Sequence, residues 1–424
     1  MADHPTAPDV ARELDGITRA DLVVGVVSFN SARNVRHVIE TAAAAAASFY
    51  PDASTVIVVA DGGSRDGTAA AARAATAGRC RVIVPADPGR LVAALELGPS
   101  APGRADGLRT TLAVAARLEA GACAVVDADV AGITPDWVRG LLEPVLRQRL
   151  DLVAPLYARH KYDGMLTSFL VYPLTRALYG RRLRQPVGGH FGLSGALARR
   201  VLAAGVGAGA AGRARRDLWL TTKALADRVS VGQAGLGSGR RGGGAREAAA
   251  ELGGAFADVV GTAFSLMEDY RPAWRAVVQT TEVPCFGDPP PVGTEPVSVN
   301  VDRMISTFRQ GVDDLMPVWN RILAADTCAA LFDLAAGPAD TFRFPDRLWA
   351  RAVYDAAAAH HARVLPRGQL LRALIPLYLG RAAAYVIATA SGDARQAQEQ
   401  VESACAAFED EKAYLLDRWD ERRT

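Results

Sequence analysis

The sequence predicts an α/β protein built on a mostly parallel sheet with helices on both faces. Between residues 21 and 130, short β-branched runs alternate with alanine-rich runs, which is the pattern of a parallel sheet covered on both sides. Polar residues come directly after the predicted strands, namely Asn30, Asp61, Asp127 and Asp129. Because ligands of such sheets bind beyond the carboxyl ends of the strands, these residues predict a binding site at that edge.

The first elements are clear in the chain. The run DLVVGVVSFN (21–30) predicts a buried strand, and ARNVRHVIETAAAAAASFY (32–50) predicts a helix because alanine favours helix strongly. STVIVVADGGSRDGT (54–68) predicts a second strand ending in a Gly/Asp loop. The same alternation then predicts a helix over 68–78, a strand over 80–86, a helix over 106–121, a strand over 122–130, a helix over 133–146 and a strand over 151–159.

Two local signals refine this outline. Thr134 before Pro135 is typical of a helix N-cap followed by proline in the first turn. The Gly- and Arg-rich run GLGSGRRGGGARE (235–247) predicts a surface loop. After DPPPVGTEP (288–296) the pattern is helical almost to the end, so we place a boundary near residue 290. The organisation predicted is a flexible N-terminus (1–20), a catalytic α/β domain (21–290) and a helical C-terminal region (291–424).

Bulk composition excludes several classes of protein. Half of the residues are hydrophobic and 22% are charged, which is ordinary for a soluble protein. The formal net charge of +2 implies no strong attraction to nucleic acid or to an anionic membrane. The five cysteines are scattered without a CxxC pair, which argues against a disulfide framework and a zinc knuckle. Reduced thiols and a cytoplasmic location are the expectation.

Neither a signal peptide nor a membrane span is expected. The N-terminal run MADHPTAPDVARELDG carries acidic residues and has no apolar core. The most apolar stretch, LLRALIPLYLGRAAAYVIATA (370–390), is interrupted by Arg372 and Arg381. A buried or amphipathic helix is therefore predicted there.

The acidic pair in CAVVDADV is the most informative feature. Asp127 and Asp129 follow an apolar strand with only Ala128 between them, and burying a charge without a partner is costly. A turn after the strand would let one carboxylate hold Mg²⁺ or Mn²⁺, completed by a diphosphate, while the other contacts a ribose or a metal-bound water. The alternative is a surface turn with two solvated acids.

The loop after the second strand and a later arginine extend this site. In ADGGSRDGT, Asp61 could accept hydrogen bonds from a base or ribose, and Gly63 allows close approach of the backbone. An ordinary βα loop has the same composition. Arg104, on a Gly-bearing loop that leads into a helix, is suited to a phosphate, although a solvated arginine is the alternative.

Three further segments carry candidates for the second substrate. The segment after residue 157 contains Arg159 and Thr167, which suit an anionic acceptor. QPVGGHFGLSG (185–195) is dense in glycine around His190, and that histidine could equally be structural. Asp217 opens a helix, where an acid is also favoured by the helix dipole alone.

These motifs together resemble a known family. VVGVVSFN, VVADGGSRDGT, CAVVDADVAGITPDW, APLYARHKYDGMLTSFLVYPLTRALYG, RQPVGGHFGLSG and RDLWLTT occur in the order found in retaining GT-A glycosyltransferases of the glucosyl-3-phosphoglycerate synthase and mannosylglycerate synthase kind. The likeness runs from about residue 20 to the C-terminus. It implies a Rossmann-like GT-A domain, a UDP- or GDP-hexose donor, Mg²⁺ or Mn²⁺, and a small anionic, glycerate-like acceptor.

The resemblance also implies roles for individual residues. Asp129 would hold the metal and Asp127 would approach the ribose; Asp217 would lie near the transferred sugar. The remaining donor-side positions are Ser28, Asn30, Asp61, Gly63, Arg104, Ala128, Gly189 and His190, and the acceptor-side positions are Arg159, Thr167 and Gly188. Asp217, Asp129 and Arg104 would carry the chemistry.

Two positions depart from the family pattern. His190 stands where an acid normally follows QPxGG, and the run around Arg241 lacks the histidine that completes the metal site. Arg240 or Arg241 could instead neutralise the diphosphate. Three hypotheses follow: a retaining hexosyltransferase, an inverting transferase with Asp217 as general base, or a non-catalytic nucleotide-sugar-binding protein. The apolar helical region permits a homodimer without requiring one.

Overall fold

The computed structural model describes residues 14, 16–85, 105–206, 215–238, 252–287, 297–339 and 341–421. Eight strands within these residues form one sheet. They are β1 (Leu22–Ser28), β2 (Thr55–Asp61), β3 (Arg81–Ile83), β4 (Ala122–Asp127), β5 (Leu152–Ala158), β6 (Phe191–Ser194), β7 (Val231–Ser238) and β8 (Cys285–Phe286).

The sheet is mostly parallel, as predicted. Its strand order is β3-β2-β1-β4-β6-β5-β7-β8. β6 runs antiparallel to both of its neighbours, β4 and β5, while each of the other neighbouring pairs is parallel. The carboxyl ends of β1, β2, β4, β5 and β7 therefore lie along the same edge.

Helices connect the strands and then continue alone. The described helices up to β8 are α1 (Val35–Phe49), α2 (Thr68–Arg73), α3 (Ala105–Arg117), α4 (Pro135–Gln148), a π-helical turn (Thr167–Val171) that continues into α5 (Tyr172–Tyr179), α6 (Gly195–Ala203), α7 (Arg216–Ala226), α8 (Leu252–Asp269) and α9 (Arg271–Arg275). The later ones are α10 (Val301–Ile322), α11 (Ala325–Ala336), α12 (Asp346–His361), α13 (Arg367–Thr389), α14 (Ala394–Asp410) and α15 (Lys412–Glu421).

Both faces of the sheet are buried, which explains the continuous apolar runs of its strands. Val24 of β1 belongs to a cluster with α1 and α4 on one face. Its neighbour Val23 belongs to a larger cluster that contains α3, α6 and most of the C-terminal helices. The α/β prediction with helices on both faces is thus confirmed. Thr134 lies at the N-cap of α4 as predicted, but its side chain makes no capping hydrogen bond.

The C-terminal helices pack directly onto the same core. Arg176 of α5, 4% exposed, binds the carboxylates of Glu402 and Glu409 on α14.

α13 contains the apolar stretch noted in the sequence and is the one described helix long and apolar enough to cross a bilayer. Within that stretch, 72% of the most apolar window is buried inside the protein, and Arg381 pairs with Asp346. The prediction of a buried helix is confirmed.

The structure differs from the sequence prediction in the glycine-rich segments. Residues 235–238 were expected to lie in a surface loop, but they form the end of β7 and pair with β5. Residues 239–247 lie outside the described part. The strand β6, inside the glycine-dense run 185–195, was not predicted. Pairing with neighbouring strands outweighs the low β-propensity of glycine at both places.

Two glycines allow unusually close packing of a helix against the sheet. A Cβ atom on Gly192 of β6 would lie 1.9 Å from the carbonyl oxygen of Leu141 in α4. A Cβ on Gly25 of β1 would lie 2.0 Å from Oγ1 of Thr111 in α3. Backbone or a buried side chain occupies the space at each position, so glycine is required for this spacing.

We expect Gly192→Ala to lower the free energy of unfolding by about 3 kcal/mol, because α4 must move away from β6 to make room. The matched control is Gly253→Ala in α8, where a Cβ meets no atom within 4 Å and we expect a gain of about 0.5 kcal/mol. Urea denaturation measures both changes. Equal effects of the two substitutions would contradict the close packing of α4 on β6.

Candidate functional site

The shared edge of parallel strands brings most of the predicted site residues together. Ser28 and Asp61 are register partners at the ends of β1 and β2. Asp127 ends β4, which pairs with β1 on its other side. β6 then places Phe191 beside Val125, so Gly189 and His190 enter the sheet near the end of β4. The sequence prediction of one site at this edge is consistent with the topology.

The turn after β1 positions three carboxylates through hydroxyl groups. The backbone N–H of Asn30 donates to Ser64 Oγ at 2.7 Å, and that hydroxyl donates to Asp61. Asp61 also accepts a hydrogen bond from the Ser28 hydroxyl at 3.4 Å. Asn30 has a φ of 51°, a left-handed conformation that asparagine tolerates, and its Oδ1 accepts from the N–H of Arg65 at 3.0 Å.

The second of these carboxylates is that of Asp66, in the loop after β2. The N–H of Ser31 donates to Thr68 Oγ1 at 2.8 Å, and Thr68 in turn donates to Asp66. The Thr68 hydroxyl and the N–H of Ala32 hold the pKa of Asp66 below its ordinary value. The loop that contains Gly63 (φ 92°) is thereby tied to the end of β1.

The third carboxylate belongs to the acidic pair. The N–H of Phe29 donates to Ser31 Oγ at 3.4 Å, and Ser31 Oγ donates to Asp129 Oδ1 at 2.6 Å. Asp127, 8% exposed, accepts the N–H of Asp129 on its Oδ1 at 3.0 Å. Ala128 is fully buried, and its N–H donates to the carbonyl of Val27 at 2.8 Å. The two acids therefore form a fixed turn at the end of β4.

The oxygen atoms of this turn suit a hard divalent cation. Among the described residues no group of three His, Cys, Asp or Glu side chains is placed to hold a metal. Mg²⁺ and Mn²⁺ sites often use only one or two protein carboxylates together with substrate phosphates. The carboxylates of Asp127 and Asp129 fit that type of site.

His190 is packed among aromatic side chains. It is 3% exposed, its Nδ1 is hydrogen-bonded to the hydroxyl of Tyr157, and its ring meets the edges of Trp137 and Tyr157 at centroid distances of 5.5 and 5.7 Å. This environment agrees with the structural alternative for His190. Gly188 packs against β5, since a Cβ there would lie 2.8 Å from Cγ of Pro155.

A cavity of about 250 Å³ lies beyond the end of β5. Arg159 and Thr167, which the sequence analysis expects on the acceptor side, line this cavity together with Arg184 and Gln185. The Arg159 guanidinium lies 5.4 Å from the Tyr157 ring centroid and makes no ion pair in the described part of the chain. Arg184, in contrast, lies 3.8 Å from a carboxylate oxygen of Glu402. Arg159 is thus the less neutralised of the two guanidinium groups.

The C-terminal helices form the opposite wall of this cavity. Tyr385 of α13 and Gln398 of α14 line it. Lys161 Nζ donates to the carbonyls of Thr389 (2.6 Å) and Gly392 (2.9 Å), and the Tyr385 hydroxyl donates to the Lys161 carbonyl at 3.0 Å. Burial raises the pKa of Tyr385 to about 12, so this hydroxyl stays protonated. The loop after β5 is therefore tied to the end of α13.

Asp217 lies in the first turn of α7 and is paired with its neighbour. Arg215 donates two hydrogen bonds to its carboxylate, at 3.0 and 2.6 Å. Burial alone would lower the pKa of Arg215, but the hydrogen bonds and charge of Asp217 outweigh this and raise it. The pair is therefore charged, and Asp217 accepts hydrogen bonds on both oxygens.

Some predicted residues fall outside the described part, and others were missed. Arg104, Arg240 and Arg241 lie in segments that the structure does not describe. The hydroxyls of Ser31, Ser64 and Thr68 were not predicted, although all three lie in polar loops next to the predicted strand ends. The cavity residues from α13 and α14 were also missed, because no local pattern links them to β5.

No family model and no curated protein sequence matches this chain. Solved structures of glucosyl-3-phosphoglycerate synthase from Mycobacterium tuberculosis are similar to it. The complex with phosphoglyceric acid is 21% identical, with a TM-score of 0.41 over 62% of this chain and 86% of that chain. A complex with Mn²⁺, UDP-glucose and phosphoglyceric acid is 21% identical, with a TM-score of 0.44 over 64% and 86%.

We expect Tyr157→Phe to lower the free energy of unfolding by about 2 kcal/mol, because the buried His190 loses its hydrogen-bond partner. The control is Tyr162→Phe, which removes a longer 3.4 Å bond to the Val386 carbonyl and should cost less than about 1 kcal/mol. Chemical denaturation at neutral pH measures both. If Tyr157→Phe unfolds with the same free energy as the wild type, the hydrogen bond between Tyr157 and His190 does not contribute to stability.

Proposed function

We propose that this protein is a metal-dependent glycosyltransferase that transfers a hexose from a nucleoside-diphosphate sugar to a small hydroxy acid, with retention at the anomeric carbon. The observation that carries the proposal is the arrangement along one sheet edge. Carboxylates at the ends of β2 and β4 lie on one side of β6. On the other side lies a cavity with Arg159, which pairs with no acid among the residues that the structure describes.

The donor fits the side formed by β1, β2 and β4. Asp61, held by Ser28 and Ser64, can accept hydrogen bonds from a base or a ribose. Asp127 and Asp129 would hold Mg²⁺ or Mn²⁺ together with the diphosphate. When bound, such a cation offsets the charge that develops on the leaving diphosphate. We assign nucleotide and metal binding to this turn.

The acceptor fits the cavity beyond β5. The cavity volume of about 250 Å³ leaves room for a small hydroxy acid. Arg159 would bind its carboxylate or phosphate, since guanidinium groups match the geometry of both. Thr167 and Gln185 supply neutral hydrogen-bonding groups for hydroxyls.

The chemistry proposed requires no general base from the protein. The acceptor hydroxyl attacks the anomeric carbon from the face of the leaving group, the bond from that carbon to the phosphate oxygen breaks, and the hydroxyl proton passes to the departing phosphate oxygen. Both carboxylate oxygens of Asp217 already accept hydrogen bonds from Arg215, so the carboxylate is engaged by a guanidinium before an acceptor hydroxyl binds. This pairing supports the retaining route over an inverting one with Asp217 as base. NMR assignment of the product anomer distinguishes the two routes, and inversion would refute the retaining assignment.

We expect Asp129→Ala to lower the transfer rate at least 100-fold while the protein remains folded, because the diphosphate loses its cation. The matched control is Asp136→Ala, which removes an acid in the first turn of α4 whose side chain is 76% exposed. Transfer is measured with Mn²⁺, UDP-glucose or GDP-mannose, and glycerate or 3-phosphoglycerate. Tight binding of a donor in thermal-shift assays without hydrolysis or transfer would favour a binding protein instead.

We expect Arg159→Gln to raise the KM for the acid acceptor between 10- and 100-fold and to leave the KM for the donor unchanged. A charge-assisted hydrogen bond contributes about 1.5–3 kcal/mol, which corresponds to that range. Two-substrate kinetics measure both constants. The control is Arg182→Gln, because Arg182 pairs with Glu282 and does not line the cavity. A rise in the donor KM alone would contradict the acceptor role of this cavity.

A further inference from the structure

We propose that Ser31 is a positioning residue for the metal-binding carboxylate of Asp129. The inference rests on the proposed function, since it takes Asp129 as the metal ligand. Ser31 is not part of a recognisable motif, and nothing in its position along the chain connects it with an acid 98 residues away. The two meet because β1 and β4 are parallel neighbours whose ends are followed by tight turns.

The backbone of Ser31 is fixed from both sides. Its N–H donates to Thr68 Oγ1 at 2.8 Å. Its carbonyl accepts the N–H groups of Asn34 and Val35 at 3.0 and 2.9 Å, at the start of α1. The residue is 3% exposed. The Ser31 hydroxyl therefore has a defined place between the ends of β1, β2 and β4.

The hydroxyl of Ser31 has two possible acceptors for its one proton. Asp129 Oδ1 lies 2.6 Å from Ser31 Oγ and the Phe29 carbonyl oxygen lies 3.2 Å away, while the N–H of Phe29 donates to Ser31 Oγ at 3.4 Å. Because the carboxylate is the closer acceptor and carries charge, the proton points to Asp129. An aspartate side chain after a strand can rotate about two bonds, and a short hydrogen bond to one oxygen limits that rotation. Groups that orient a ligand in this way commonly change metal affinity 10- to 100-fold when they are removed.

The contact with Asp127 cannot replace this function. Asp127 Oδ1 accepts the backbone N–H of Asp129 at 3.0 Å, so this contact fixes the main chain of the turn and does not act on the side chain of Asp129. Ser31→Ala removes the hydroxyl and with it the contacts to Asp129 and to the backbone of Phe29. The bonds to Thr68, Asn34 and Val35 are made by the backbone of Ser31 and remain. The substitution therefore tests the orientation of the carboxylate with the main-chain bonds of Ser31 in place.

The experiment is an EPR titration of Mn²⁺ into the full chain saturated with UDP. We expect Ser31→Ala to weaken Mn²⁺ binding 10- to 100-fold, while the affinity for UDP measured calorimetrically without metal stays within twofold of wild type. Ser31→Thr keeps the hydroxyl and should stay within about threefold. Ser54→Ala is the matched control, since it removes a hydroxyl that donates to Asp21 at 2.7 Å just before β1, at the opposite end of that strand, and should leave Mn²⁺ binding unchanged.

Each outcome has a definite meaning. Mn²⁺ affinity of Ser31→Ala equal to wild type, with binding lost in Asp129→Ala, would overturn the role of Ser31 and leave the proposed function standing. No Mn²⁺ binding by the wild-type complex would overturn both. Should Ser31→Ala not fold, Ser31→Cys decides in its place, because a thiol of similar size is a weak donor and should reduce Mn²⁺ affinity while Ser31→Thr does not.

Discussion

The short turn Phe29–Ser31 fixes the geometry of the whole candidate donor site. Three successive backbone N–H groups each meet a hydroxyl that is itself bonded to a carboxylate, so Asp129, Asp61 and Asp66 are all placed relative to the end of β1. Acids in a partly buried edge require such partners, because an unpaired polar group there is costly to desolvate. The strands supply the positions, and the hydroxyls set the orientation of the side chains.

β6 divides this edge into two regions, and Tyr157 links the histidine in front of β6 to the cavity. Because β6 runs antiparallel to β4 and β5, it begins at the edge where those strands end. His190, just before β6, therefore lies between the acidic turn and the cavity. The Tyr157 hydroxyl bonds to His190, and the Tyr157 ring lies under Arg159. Lys161 and Tyr385 then tie the loop after β5 to α13. The helical C-terminal region is consequently part of the cavity wall and of the main core.

Elements with a strong local pattern could be predicted from the sequence. β1, β2, β4 and β5 are continuous apolar runs, so their strands can be predicted from local sequence alone. Pro135 likewise marks the start of α4. β6 and the end of β7 could not be predicted, because their glycines disfavour strands locally. Gly192 of β6 and Gly232 near the start of β7 allow close approach of the Leu141 carbonyl and of the Leu150 side chain.

The sequence by itself determined which strand ends carry acids, and with them the edge on which a site must lie. It also indicated that Arg159 and Thr167 follow β5, because a parallel sheet puts every such loop on one side. Only the tertiary structure decided which hydroxyl meets which carboxylate, that His190 is enclosed by Trp137 and Tyr157, and that α14 closes the cavity. Such contacts join residues far apart in the chain, and their energy depends on packing that no local pattern records.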